Sequence, residues 1–262
     1  MDLLAAVGPL TVLSGFAVGL LVGLTGVGGG ALMTPLLILL FDAPATTAVG
    51  TDLLYAAATK SAGTIAHGRK QTVDWPITLR LAAGSLPGAV LTILALYLMG
   101  VGRGSSPRLI TIALGIALLL SAAAVVARPW IRRISDRHAG ERRPWTVPVT
   151  VLAGFGLGVV VTITSVGAGA LGMTLLVILY PGVRLVRLVG SDIAHAVPLT
   201  LVAGLGHWLL GSVDWALMIA LLLGSVPGIT LGSHMSGRLP ERVLRPILAA
   251  ILVVVGLKML FG

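Results

Sequence analysis

The chain has 262 residues, 56% of them hydrophobic and only 10% charged, and a mean hydropathy of +1.04. That composition excludes a soluble domain and predicts an all-α integral membrane protein. The net charge of +9 does not mark a nucleic-acid binder, because the basic residues fall in short stretches between apolar runs, where the positive-inside rule expects them.

In chain order, the first ten residues carry Asp2 and no basic patch, so they do not read as a cleaved signal peptide. Apolar segments are predicted at 8–25, 28–41, 45–67, 75–99 and 107–127. A basic stretch, 128–144, reads as a cytoplasmic loop. Five more segments follow at 145–164, 166–180, 185–208, 215–234 and 243–261. The whole of 1–262 is read as one transmembrane transporter domain, with repeat 1 at about 8–127 and repeat 2 at about 145–262. Cysteine is absent, which excludes disulfides and thiolate metal sites.

The second five segments repeat the first five. Gly15-Phe16 returns as Gly154-Phe155, and the run from Thr25 to Leu32 as that from Thr164 to Leu171. Val49-Gly50-Thr51-Asp52 matches Val189-Gly190-Ser191-Asp192, and Val73-Asp74-Trp75 matches Val213-Asp214-Trp215. Gly84-Ser85-x-Pro87-Gly88 matches Gly224-Ser225-x-Pro227-Gly228. An odd number of crossings per half, with both termini outside, places Arg69, Lys70 and Arg80, the arginines of 128–143, Arg184, Arg187 and the group from Arg238 to Arg245 on the inner side. Only Arg103, Arg108 and Lys258 are then left outside. An even number nearly erases this bias, so the repeats are expected to be inverted. The short second segments, well under the roughly 20 residues of a full span, are left open as crossing or re-entrant, giving eight to ten segments in total.

Gly26, Gly28, Gly29 and Gly30 interrupt the first apolar run, and Gly167 and Gly169 recur at the matching place of the second. Broken helices expose backbone amides, which membrane proteins tolerate only beside protein or a watery cavity. In inverted repeats such breaks are where substrate is held. Each break precedes an apolar helix, so free N–H groups and a positive dipole end favour an anion. Thr25, Thr164 and Ser165 add hydroxyl donors. The competing reading is close packing of helices on small residues.

Ionisable residues within spans are functional candidates. Asp52 and Asp192 are repeat mates, and either couple protons or hydrogen-bond the neighbouring Thr51 and Ser191 as helix caps. His195 lies on the same helix face as Asp192 and either joins it in proton coupling or donates to a backbone carbonyl. Lys60 either neutralises a bound anion or snorkels to the interface. His67 and His207 are expected at the interface, with Trp75 and Trp215. Pro87 and Pro227 are expected to kink their helices. No enzyme signature is present: there is no HExxH, nucleophile elbow or Walker loop. No cofactor or metal is expected.

The glycine-rich run from Gly23 to Pro35, the following Val49-Gly50-Thr51-Asp52, His67-Gly68 and the second, degenerate copy resemble the TauE/SafE-type sulfite exporter family over essentially the whole chain. The resemblance implies a carrier of sulfur-containing anions such as sulfite or sulfonates, in the bacterial cytoplasmic membrane, coupled to protons and working in export. The expected partners are a small anionic substrate and the lipid bilayer, with self-association also open. Two alternatives are a cation or neutral-solute carrier using Asp52 and Asp192, and a membrane subunit that docks a partner through its basic loop.

Overall fold

The computed structural model describes residues 8–25, 30–101, 107–137, 144–235 and 241–261. These form helices and connecting turns, with no strand among them: α1 (Pro9–Thr25), α2 (Gly30–Phe41), α3 (Ala45–Arg69), α4 (Trp75–Leu98), α5 (Pro107–Asp136), α6 (Thr146–Thr164), α7 (Ala170–Leu179), α8 (Leu185–Leu209), α9 (Trp215–Met235) and α10 (Glu241–Phe261). Five helices among the described residues are long and apolar enough to cross a membrane. Helix starts follow local chemistry. Asp74 accepts from the Ile77 amide at 3.4 Å and Asp214 from the Leu217 amide at 2.9 Å, capping α4 and α9.

The two halves are inverted. Repeat-equivalent helices α3 and α8 pack together with Gly204 against Leu54 and Gly63 against Ile193; as one number rises the other falls, so the pair is antiparallel. Helices α5 and α10 do the same, with Gly115 against Leu260 and Gly256 against Leu119. Equivalent elements running in opposite directions give an inverted repeat, as the arginine distribution predicts.

The halves are also interlocked. Helix α1 lies parallel to α9, and α4 parallel to α6, each pair drawing one helix from each half. Gly15 and Gly19 sit against the backbone of Leu221 and Ser225, and Gly84 and Gly88 against that of Val151 and Phe155. At these four positions a methyl group would run into main-chain atoms. Without water to drive association, such backbone approach lets dispersion act between helices. The Pro87 and Pro227 positions lie inside unbroken α4 and α9.

The short segment of the second half turns back. Helix α7 has ten residues, about 15 Å at the α-helical rise, half the hydrocarbon thickness. Its end returns to the start of α6: the Tyr180 hydroxyl lies 2.9 Å from Thr150 Oγ1. Helices α6 and α7 thus form an antiparallel hairpin with the break at its tip.

One boundary differs from the sequence expectation. The stretch 128–136, expected to be loop, continues α5 as helix to Asp136. An i,i+4 ion pair, Arg132 to Asp136 at 3.5 Å, lies on this extension. Ser135 Oγ donates to Val177 O at 2.6 Å, and Ile131 packs against the cluster of Met173, Leu176 and Leu188. A helix with an apolar side to bury against α7 has reason to continue where arginine count alone suggests solvent.

Candidate functional site

The second break is built by backbone that only certain residues accept. Ser165 takes a left-handed conformation, φ 58°, and Gly167 has φ 115°, a region that L side chains rarely enter. The amides of Leu171 and Gly172 both close on Gly167 O at 3.0 Å. Gly169 stands immediately before α7, and its carbonyl accepts from Arg128 Nη2 at 3.5 Å. In the first half, Thr25 ends α1 and Gly30 opens α2; Gly26, Gly28, Gly29 and the Thr25 side chain lie outside the described residues.

Thr164, expected to offer its hydroxyl to an anion, turns it to its own helix instead. It donates to Val160 O at 2.7 Å and accepts from the Val166 amide at 3.1 Å. Its single proton is spent locally, which stabilises the helix end rather than a ligand. Ser165 differs. Its hydroxyl is buried with no hydrogen-bond partner among the described residues, and it faces the carboxylate of Asp52.

Both carboxylates are buried, Asp52 at 0% and Asp192 at 4% exposure. The local-cap reading of them fails: the hydroxyls of Thr51 and Ser191 are engaged elsewhere. Thr51 Oγ1 accepts from the Asp214 amide at 2.9 Å, and Ser191 Oγ from the Asp74 amide at 2.8 Å. Each Gly-[Ser/Thr]-Asp motif therefore ties its helix to a turn, Thr51 across to the other half and Ser191 back to the first, and its aspartate points elsewhere.

Asp52 Oδ2 accepts a short hydrogen bond from Thr34 Oγ1 on α2, leaving Oδ1 without a partner. Asp192 sits against Gly172 of α7, where a methyl group would strike its Oδ1; that oxygen too has no hydrogen-bond partner. Lys60, two turns beyond Asp52 on α3, is partly exposed and forms no ion pair with either carboxylate among the described residues. The guanidinium of Arg128 acts on Asp192.

His195 does not pair with Asp192. Its Nε2 lies 2.7 Å from Ser85 Oγ, with both groups fully buried. The repeat-equivalent position holds Tyr55, whose hydroxyl faces Ser225, so the two halves place different aromatic polar groups on matching serines. His207, expected at the interface, is buried at 0% exposure, its Nε2 2.9 Å from Thr162 O. The expectation overlooked that Gly50 leaves room beside His207 for this contact. His67 is half-buried and meets Thr72 Oγ1 at 2.8 Å. Trp75 and Trp215 are exposed at helix starts, as an aromatic belt expects. Among the described residues no cluster of three His, Asp or Glu is arranged to hold a metal.

Three participants escaped the sequence reading. Thr34 is three residues beyond Ala31 and carries no motif of its own. Ser85 sat in a repeated motif read only for its proline. Arg128 was absorbed into the basic loop, although Arg132 and Asp136 at i,i+4 spacing signalled a continuing helix.

A helical membrane protein of two inverted halves, with a buried carboxylate from each and a broken helix beside them, has the layout of a secondary transporter. The family model described as sulfite exporter TauE/SafE matches residues 11–259, and the chain belongs to that family. It is 41% identical to the probable membrane transporter protein YjnA of Bacillus subtilis over 255 residues, covering 95% of this chain and 98% of that one. It is 28% identical to the probable membrane transporter protein YdhB of Bacillus subtilis, covering 96% and 100%. It is 26% identical to the probable membrane transporter protein MJ0441 of Methanocaldococcus jannaschii, covering 96% and 95%. No solved structure matches the chain.

Proposed function

We propose that the chain carries small sulfur-containing anions, of the sulfite or sulfonate type, across the bacterial cytoplasmic membrane in company with protons. The observation that carries this reading is a pair of buried carboxylates at repeat-equivalent positions, Asp52 and Asp192, beside a helix break whose Ser165 hydroxyl is buried without a hydrogen-bond partner among the described residues. Lys60, two turns beyond Asp52 on α3, is assigned the charge that neutralises the anion, and the carboxylates the proton. Ser165 supplies a buried hydroxyl that no described residue engages. The carrier class rests on family membership, and the anion class on the family model's description together with these donors. Both termini are assigned to the outer face on the arginine distribution. Enzymatic chemistry has no part in this reading. With anion and proton coupled on one carrier, export proceeds when the outward anion gradient exceeds the opposing proton gradient.

A second reading has one observation in its favour. The orphaned Oδ1 atoms of Asp52 and Asp192 would also suit a bound cation. The two separate in proteoliposomes of the purified protein loaded with labelled sulfite. Anion transport predicts efflux that taurine, sulfoacetate or other sulfonates inhibit and sodium leaves unchanged. Stimulation by sodium without competition from any sulfonate would replace it with the cation carrier.

A further inference from the structure

Hydroxyl groups inside apolar helices ordinarily bond back to a carbonyl of their own helix. Thr150, Thr164, Thr174 and Thr200 do so, at 2.6–2.8 Å. Thr162 and Ser165 do not. Both are buried, at 0% and 4% exposure, and neither hydroxyl has a hydrogen-bond partner among the described residues. Buried polar groups are rarely left unpaired, and two of them within one helical turn are a costly arrangement for a helix end to keep.

The two hydroxyls lie where the close packing of α6 ends. Gly154 and Gly158 sit against the backbone of Leu81 and Ser85 on α4, and Thr162 follows one turn further along the same side. At Ser165 the chain leaves the helix with φ 58°, its amide still bonded to Val161 O at 2.7 Å. His207 fixes the turn between them. Its Nε2 lies 2.9 Å from Thr162 O, an atom that only accepts, so Nε2 carries the proton and donates it. Around the pair, Val161 and Ala168 pack with Val49 and Leu53 of α3 and with Ala196 and Leu199 of α8, an apolar wall. Asp52 stands between Val49 and Leu53 in α3, which brings its carboxylate beside the break.

We infer that Thr162 Oγ1 and Ser165 Oγ form a neutral donor pair that receives oxygen atoms of the transported anion, which makes Thr162 a substrate contact. Hydrogen bonds to a charged acceptor are stronger than those between neutral groups, so a bound oxyanion supplies both hydroxyls with the partner they lack. The chemistry favours a monoanion of the sulfonate or hydrogen sulfite type over a dianion such as sulfate. Desolvation cost rises with the square of the charge, and two neutral donors do not offset that rise. The proton assigned to the carboxylates above removes the charge of Asp52 beside the pair as the anion arrives. This deepens the transport reading proposed above and rests on it.

The test uses the full chain, purified for melting curves and reconstituted in proteoliposomes for uptake, with labelled methanesulfonate as a monoanion and sulfate as a dianion. Wild type is expected to prefer methanesulfonate and to melt at a higher temperature in its presence. Thr162→Val replaces the hydroxyl by a methyl group and keeps the shape. It is expected to raise the half-saturation concentration about tenfold, the size of one hydrogen bond to a charged group, and to shrink the melting shift. Without the anion its melting temperature should equal or exceed that of wild type, because an unpaired buried polar group has gone. Ser165→Ala should behave likewise, and Thr162→Ser should restore wild-type half-saturation. Thr174→Val, which deletes a hydroxyl bonded to Ala170 O, should leave half-saturation unchanged. Three results overturn the inference while leaving anion transport standing: a melting temperature of anion-free Thr162→Val well below wild type, wild-type half-saturation in either Thr162→Val or Ser165→Ala, or equal transport of sulfate. No uptake of either anion by wild type, with no melting shift, removes the transport reading and this site together.

Discussion

Lys60, two turns beyond Asp52 on α3, is the residue proposed to neutralise the anion. Lys60→Met should preserve folding, because it removes the charge and keeps most of the apolar stem. It is expected to cut anion flux about tenfold or more, in line with losing a charged hydrogen-bond partner; wild-type flux from folded Lys60→Met protein would remove its role. Ser191→Ala, which deletes the acceptor for the Asp74 amide, is expected to lower unfolding stability by about 1 kcal/mol, read as a shifted denaturation midpoint in detergent. The aspartates, Lys60 and Ser165 were legible in the sequence because polar groups in apolar spans have few reasons to exist. Thr34 and Arg128 were not. A threonine in a helix has an ordinary use, bonding its own backbone, as Thr164 does. An arginine after an apolar run looks like a span end until tertiary packing extends the helix.

At the scale of elements, glycine divides between two roles. In the second break it supplies backbone conformation, as at Gly167. On α1, α4, α6 and α9 it supplies closeness between helices, as at Gly84 against Val151. Gly84→Val would drive a branched side chain into the α6 backbone and is expected to cost about 1–3 kcal/mol or more by overpacking, measured as a fall in melting temperature. Gly156, which has nothing within 4 Å of an added methyl, should accept alanine with an unchanged melting temperature. Sequence alone could not separate these glycines, because both roles select the same residue. It also left open whether the second short segment crosses or returns.

Across the whole molecule the inverted repeat was the most legible feature, because it is written twice, once in motif order and once in the placement of arginines. The structure adds how the halves are joined: parallel pairs α1–α9 and α4–α6 across the repeat, and antiparallel pairs α3–α8 and α5–α10 between equivalents. Since the chain has no cysteine, single substitutions report sidedness cleanly. Arg108→Cys is expected to react with an impermeant maleimide added to intact cells, and Arg137→Cys only after the membrane is opened. Reaction of both from outside would contradict the assigned orientation.

The central claim is that anion and proton cross together, and the most direct measurement is the internal pH of proteoliposomes when methanesulfonate is added outside with no pH gradient imposed. Its conjugate acid is too strong to cross the bilayer unaided, so a pH change reports the protein. The account predicts internal acidification in step with anion entry in wild type, and its loss in Asp192→Asn. Anion entry without acidification, or acidification that survives Asp192→Asn, would contradict it.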